Sequence, residues 1–448
     1  MLTELSVENF KAWKKIDKMR LAPITGLFGT NSSGKSSILQ FLLMLKQTAE
    51  ADDRKLVLDF GDEDSKANLG SFKDVIYNHN ESFSLTFGFK WKLLENLTLE
   101  DSLSGKKLGP AREMCFKSEI CFNDNRLCVK KMRYELEGGH FELSSNLDGL
   151  LEYKLKSSGL TCVRKKQRAL PSPIKFYGFP DQVNTYYQNA EFLTDLQLEL
   201  VNMLKEVRYL GPLREFPKRH YTSKGTTPSD LGPKGEFVVD AILASRDRGK
   251  DISPGPRMRK QTLEERIAHW LKELGLIHSF NVKPIADGSS LYEVKVKRRP
   301  RSSEVLITDV GFGVSQILPV LVLCYYVPEG STILLEQPEI HLHPSVQMGL
   351  ADVFIDVAKN RKVQIILESH SEHLLNRLQR RLADESVSKD DVALYFCDTG
   401  TTGSRLDPLD IDMYGTIRNW PTDFFGDQFG EVAAREEEQL RRQMQGGE

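Results

Sequence analysis

The run Gly29-Thr30-Asn31-Ser32-Ser33-Gly34-Lys35-Ser36 carries the spacing G-x-x-x-x-G-K-S. The chemistry served by that spacing is the holding of a phosphate chain. Glycines let backbone N–H groups turn inward around phosphate oxygens, and a helix opening behind the loop adds its positive end. The lysine supplies a mobile charge and the serine a hydroxyl for Mg²⁺. An apolar run ending Gly26-Leu27-Phe28 precedes the loop, and Ser37-Ile38-Leu39-Gln40-Phe41-Leu42-Leu43-Met44 follows it. That strand–loop–helix setting implies a nucleoside triphosphate, with Gly29, Asn31, Ser32, Ser33, Gly34, Lys35, Ser36 and Ser37 around its phosphates.

Two further strings could complete such a site. Ser331-Thr332-Ile333-Leu334-Leu335-Glu336-Gln337-Pro338-Glu339 reads as a short apolar strand ending in acids, where a carboxylate can organise the metal's hydration shell. Val363-Gln364-Ile365-Ile366-Leu367 is a second apolar strand and ends in Glu368-Ser369-His370-Ser371. Parallel α/β sheets gather ligand-binding groups at such strand ends. Upstream, Thr308-Asp309-Val310-Gly311-Phe312-Gly313-Val314-Ser315-Gln316 is a glycine-rich turn opening an apolar helix, a further N-terminus able to face phosphate.

The elements that must position these groups are legible in outline. Leu2 to Phe10 alternates as a half-buried strand, leading into the loop strand and its helix. From about Ser82 to Ser157 short alternating runs separated by Asn, Asp and Gly turns predict an antiparallel sheet. A helical stretch follows near 190–205, then a helix over 263–274 and a strand pair around 280–297. The expected division is 1–80, the first part of the nucleotide core; 81–205, a β-rich inserted subdomain; 206–400, a helical lobe and the rest of the core; and 401–448, a C-terminal tail.

Composition narrows the class. The chain has 448 residues, 40% hydrophobic and 28% charged, with net charge −2, so nucleic acid could be met only through a local patch. The longest apolar run, Ile317 to Val327, is far short of a membrane span and contains Pro319. No basic n-region opens the chain and the six cysteines show no C-x-x-C spacing, which points to a cytoplasmic protein without membrane contact. Residues 245–261 carry six Lys/Arg, read as a solvated loop or as an arm touching phosphates.

The order of these motifs resembles the ABC-type P-loop ATPase head. The strings GTNSSGKSS, EQPEIHLHP and ESHSEHLL resemble the SMC/Rad50-like and OLD-family branch. YLGPLREFPKRHY, DVGFGVSQILPVL and the 419–425 tail are similar to bacterial AAA ATPases that carry a C-terminal DUF3696 domain. The resemblance implies an ATPase head without the Toprim nuclease domain of OLD enzymes. The resemblance implies an α/β fold: a mixed sheet core, an antiparallel β subdomain and a helical lobe carrying the glycine-rich turn. It implies ATP and Mg²⁺ as ligands, with Lys35 on the β- and γ-phosphates, Ser36 and Glu336 at the metal, and His370 sensing the γ-phosphate. Gly311, Gly313, Ser315 and Gln316 would reach the nucleotide of a partner subunit, giving a homodimer or higher even oligomer. Members of this look act in anti-phage defence or DNA maintenance, which implies a separate effector such as a nuclease, or DNA, as partner.

One residue departs from the pattern. The position after Glu336, where the resemblance expects the water-polarising glutamate, is Gln337. An amide orients water but takes no proton at neutral pH. Either Glu368 supplies the carboxylate from the neighbouring strand, or hydrolysis is slow and the chain is an ATP-dependent clamp. His341 and His343 suit a turn better than a metal site. Lys11 is placed near phosphates, Trp13 either near the base or in the core. Arg214 and Arg219 are open between nucleic acid and loop pinning.

Overall fold

A computed structural model describes residues 1–145, 152–249, 251–401, 403–421, 424 and 428–445. At its centre is a six-stranded sheet in the order β17-β16-β3-β15-β14-β9, where β3 is Ile24–Gly29, β9 Val207–Leu210, β14 Thr332–Glu336, β15 Gln364–Glu368, β16 Val392–Gly400 and β17 Gly403–Pro408. All pairs are parallel except β16–β17. β14 and β15 are buried along their whole length, as parallel strands covered on both faces must be. Alternate side chains divide between two cores. Leu27, Leu334 and Ile366 face one, while Ile24, Phe28, Ile333, Leu335, Ile365 and Leu367 face the other.

The first core is closed by a seven-stranded antiparallel sheet, β2-β1-β4-β5-β6-β7-β8. Its strands are β1 Leu2–Phe10, β2 Trp13–Arg20, β4 Leu85–Glu100, β5 Lys107–Asn123, β6 Arg126–Leu136, β7 Gly139–Ser145 and β8 Tyr153–Ser158. The antiparallel sheet is therefore not confined to 81–205: β1 pairs with β4 in register Val7↔Phe87, and brings β2 with it. Sequence alternation gave the strands but not which sheet they join. Helices α1 Lys35–Glu50, α2 Phe72–Val75, α3 Gln182–Tyr186 and α4 Leu193–Lys205 belong to this half of the chain.

The second core holds α5 Val238–Asp247, α6 Leu263–Glu273, α7 Phe312–Tyr326, α8 Pro344–Arg361 and α9 Glu372–Ala383. A small sheet of β10 Tyr221–Thr222, β11 Ser279–Pro284, β12 Leu291–Lys297 and β13 Val305–Leu306 lies beside them. α7 is apolar all round and buried from Val314 to Tyr325, with Pro319 inside it, which is what a core helix needs. A last helix, α10, spans Gln428–Gln445. Among the described residues no helix is long and apolar enough to cross a membrane.

Candidate nucleotide site

β3 ends at Gly29, where φ is +139° and an added Cβ would stand 1.9 Å from the Cys397 carbonyl oxygen of β16, so only glycine fits. The chain then turns through Ser32 at φ +62° and Gly34 at φ +89°, and α1 begins at Lys35. The Trp13 indole, fully buried, donates to the Gly34 carbonyl at 2.9 Å, so Trp13 braces the loop from the core and presents no face to a base. Lys35 lies folded into its own loop. Its Nζ donates to the Thr30 carbonyl at 2.6 Å, the Gly29 carbonyl at 3.2 Å and Ser33 Oγ at 3.4 Å. Burial lowers its pKa and the Glu368 charge pulls it back. Asn31 and Ser32 are exposed, and Ser36 and Ser37 half-buried, on the first turn. Lys11 donates to Gln40 Oε1 of α1 at 2.6 Å and feels the charge of Glu336.

The acids arrive from the neighbouring strands. Glu336 ends β14 and Glu368 ends β15. They are direct register partners, and Glu368 in turn faces Leu27 of β3. Burial pushes the Glu368 carboxyl up, and nearby Ser36 and Lys35 draw it back down. The Tyr209 hydroxyl donates to Glu336 Oε1 at 3.1 Å. Burial, then the Glu368 charge, push the Glu336 carboxyl up to about 7. Gln337 takes a left-handed φ of +43°, and its N–H donates to the Glu368 carbonyl at 2.9 Å, locking the two strand ends together. Glu339 is buried, raised by that burial, and accepts the His370 N–H at 2.7 Å. His370 is exposed; partial burial, then Lys35, hold its imidazole below its usual range and therefore neutral at pH 7.

Glu368 Oε2 and Glu339 Oε2 are buried without a hydrogen-bond partner among the described residues. Among the described residues no group of three or more His, Cys, Asp or Glu side chains converges to hold a metal by itself, so a cation at this cluster would take further ligands from Ser36, water and the triphosphate. Orphaned carboxylate oxygens opposite a glycine-rich phosphate cradle fit a cation that arrives with the nucleotide.

The glycine-rich turn stands apart from this cluster. Gly311 and Phe312 are exposed, Gly313 is half-buried, and Phe312 packs on Phe216 and His341 with ring centroids 5.7 and 5.3 Å apart. No hydrogen bond or ring contact among the described residues joins the turn to the phosphate loop. Ser315 and Gln316 are buried; Ser315 Oγ donates to the Phe312 carbonyl at 2.7 Å and so serves the helix start, while Gln316 Nε2 has no hydrogen-bond partner among the described residues. His343 caps α8. Arg219 pairs with Asp309 at 3.2 Å. In the 245–261 stretch, Arg246 and Arg259 are paired with Glu264 and Glu265, and Lys250 lies outside the described residues.

A family model described as AAA ATPase domain matches residues 1–166 and 255–375, more than half of the chain. The chain belongs to the AAA ATPase domain family. A second model, described as protein of unknown function (DUF3696), matches 387–434. That segment supplies β16, β17 and Phe424, whose ring lies 4.7 Å from Phe396 and 6.3 Å from Phe28 at the base of the phosphate loop. Of its 419–425 tail, residues 422, 423 and 425 lie outside the described residues.

Among solved structures, the chain is similar to an SMC head bound to the C-winged helix domain of ScpA, at 11% identity and TM-score 0.47, covering 92% of this chain and 98% of that one. It is similar to the SMC head domain from Thermotoga maritima, at 11% identity and TM-score 0.41, covering 92% and 99%. It is also similar to the Smc head domain with an extended coiled coil bound to the C-terminal domain of ScpA derived from Pyrococcus furiosus, at 9% identity and TM-score 0.46, covering 98% and 99%. No curated protein matches the chain.

In this AAA ATPase the matched segments contain Lys35, Glu336, Gln337, Glu368, His370 and the 311–316 turn, all of them legible from motif spacing. Tyr209, between the two segments, was not, and Arg214, singled out in the YLGPLREFPKRHY string, stays open there between nucleic acid and loop pinning. Glu339 was in plain view in the EQPE string but unassigned.

Proposed function

We propose that this AAA ATPase binds and hydrolyses ATP with Mg²⁺, dimerises around the nucleotide, and through that cycle regulates or scaffolds a separate effector, a nuclease of an anti-phage defence system. The observation that carries the catalytic part is the adjacency of Glu368 to Ser36 on one side and Glu336 on the other. Ser36 and Glu336 would hold the metal, which when bound neutralises charge on the β- and γ-phosphates. Lys35 exchanges its own loop carbonyls for phosphate oxygens. Glu368 accepts the proton of the attacking water as the new P–O bond forms and the bond to the ADP oxygen breaks, giving ADP and phosphate. Gln337 orients that water, and neutral His370 donates toward the leaving phosphate.

The turn's backbone at Gly311 and Gly313, rather than the inward Ser315 and Gln316 side chains, meets the partner's nucleotide. Exposed Leu213 and Phe216, with Phe312 beside them, give this face apolar surface that a second copy would cover. Light scattering on the Glu368→Gln protein tests the reading: ATP and Mg²⁺ should double the mass and ADP should not. One unchanging mass would refute it.

A second reading is a DNA-stimulated clamp in repair or maintenance. It is favoured by Lys297, Arg299 and Arg301 near the end of β12, which have no carboxylate partner among the described residues. Stimulation of turnover by duplex DNA would select it.

A further inference from the structure

Arg214 has no part in the reaction as drawn above, yet its position is unusual for a structural arginine. β9 runs parallel to β14 with Leu210 opposite Leu335. Residues 211–216 therefore leave the sheet at the same end as the phosphate loop and both acids. From that loop Arg214 turns inward and is 7% exposed. Its guanidinium donates to the Pro212 carbonyl at 2.7 Å and, at 3.5 Å, to the Glu336 carbonyl. Its Nε has no partner, and no carboxylate lies within ion-pair distance among the described residues. The groups whose charge it feels are Glu339, Tyr209 and Glu336.

A guanidinium buried without a counter-ion is costly, and a planar five-donor fork is matched to carboxylate or phosphate. Of the two carboxylates whose charge it feels, Glu336 takes the Tyr209 hydroxyl and Glu339 takes the His370 N–H through Oε1; Glu339 Oε2 is unpartnered, yet neither carboxylate stands within ion-pair distance of the guanidinium. That leaves an anion which arrives with the substrate. We propose that Arg214 completes its hydrogen bonding on the γ-phosphate of bound ATP, making it a catalytic residue supplied in cis that steadies the charge of the transferred phosphoryl group.

This rests on the ATPase reading, and the test separates the two. Fluorescence-detected affinities for a non-hydrolysable ATP analogue and for ADP are measured on the full chain, on Arg214→Ala and on Arg214→Lys, with Lys35→Ala alongside. The expected result is that Arg214→Ala loses at least tenfold in affinity for the ATP analogue, less than twofold for ADP, and about a thousandfold in turnover. Arg214→Lys, which keeps the charge without the fork, should fall between and retain the wild-type melting temperature. Equal losses for both nucleotides, or none, would overturn the assignment and leave Arg214 as a brace of the strand end. If the wild-type chain binds neither nucleotide, the ATPase reading falls and takes this inference with it.

Discussion

Glu336 and Glu368 stand side by side as register partners at the ends of adjacent parallel strands, both buried, with Ser36 of the phosphate loop near the second of them. Two like charges at this depth repel, so without a cation the pair is a stored electrostatic load at the point where nucleotide chemistry would occur.

The load should be visible in pH. The Glu336 carboxyl titrates near 7 in the fold against 4.5 unfolded, so the folded state holds this proton more tightly. Its contribution to stability is full below about pH 4.5 and is lost as the pH rises through 7, at most roughly 3 kcal/mol from the linkage relation. Glu336→Gln cannot ionise. Melting temperatures of the nucleotide-free protein should fall less between pH 5 and 8 in that variant than in wild type; an unchanged slope would reject the cause.

Trp13 reaches the loop from the core through a single hydrogen bond to the Gly34 carbonyl. Trp13→Phe removes the donor, a loss of about 1 kcal/mol of loop order, and also part of a fully buried ring, which leaves a cavity. ATP affinity should weaken by about fivefold and the melting temperature should fall, as read by calorimetric titration and thermal melts.

The apolar face at Phe216 and Phe312 should govern assembly without governing nucleotide uptake. Phe216 is 75% exposed and packs on Phe312 of the glycine-rich turn. Phe216→Asp is expected to keep ATP affinity within twofold and to abolish the ATP-induced dimer in light scattering. A dimer that survives would move the interface elsewhere.

How much was readable beforehand follows from what sequence order can carry. The phosphate loop, the two acid-tipped strands and His370 are local strings, visible in the order of residues alone. The placement of β1 and β2 was not readable, since alternation is the same whichever sheet a strand joins. Tyr209, 127 positions from Glu336, becomes part of the site only because β9 pairs in parallel with β14. Arg214 follows by the same pairing. Ser315 and Gln316 show the converse: the motif was visible, but the start of a buried helix turned their side chains inward.

The most direct test of the central claim is steady-state ATP turnover by the purified chain beside Glu368→Gln and Gln337→Glu, with ATP binding measured on each. The account expects wild type to turn over and Glu368→Gln to lose at least a hundredfold in kcat while still binding ATP, the range of a removed general base. Wild-type turnover in Glu368→Gln, or a wild type that stays inert until Gln337→Glu restores cleavage, would contradict it.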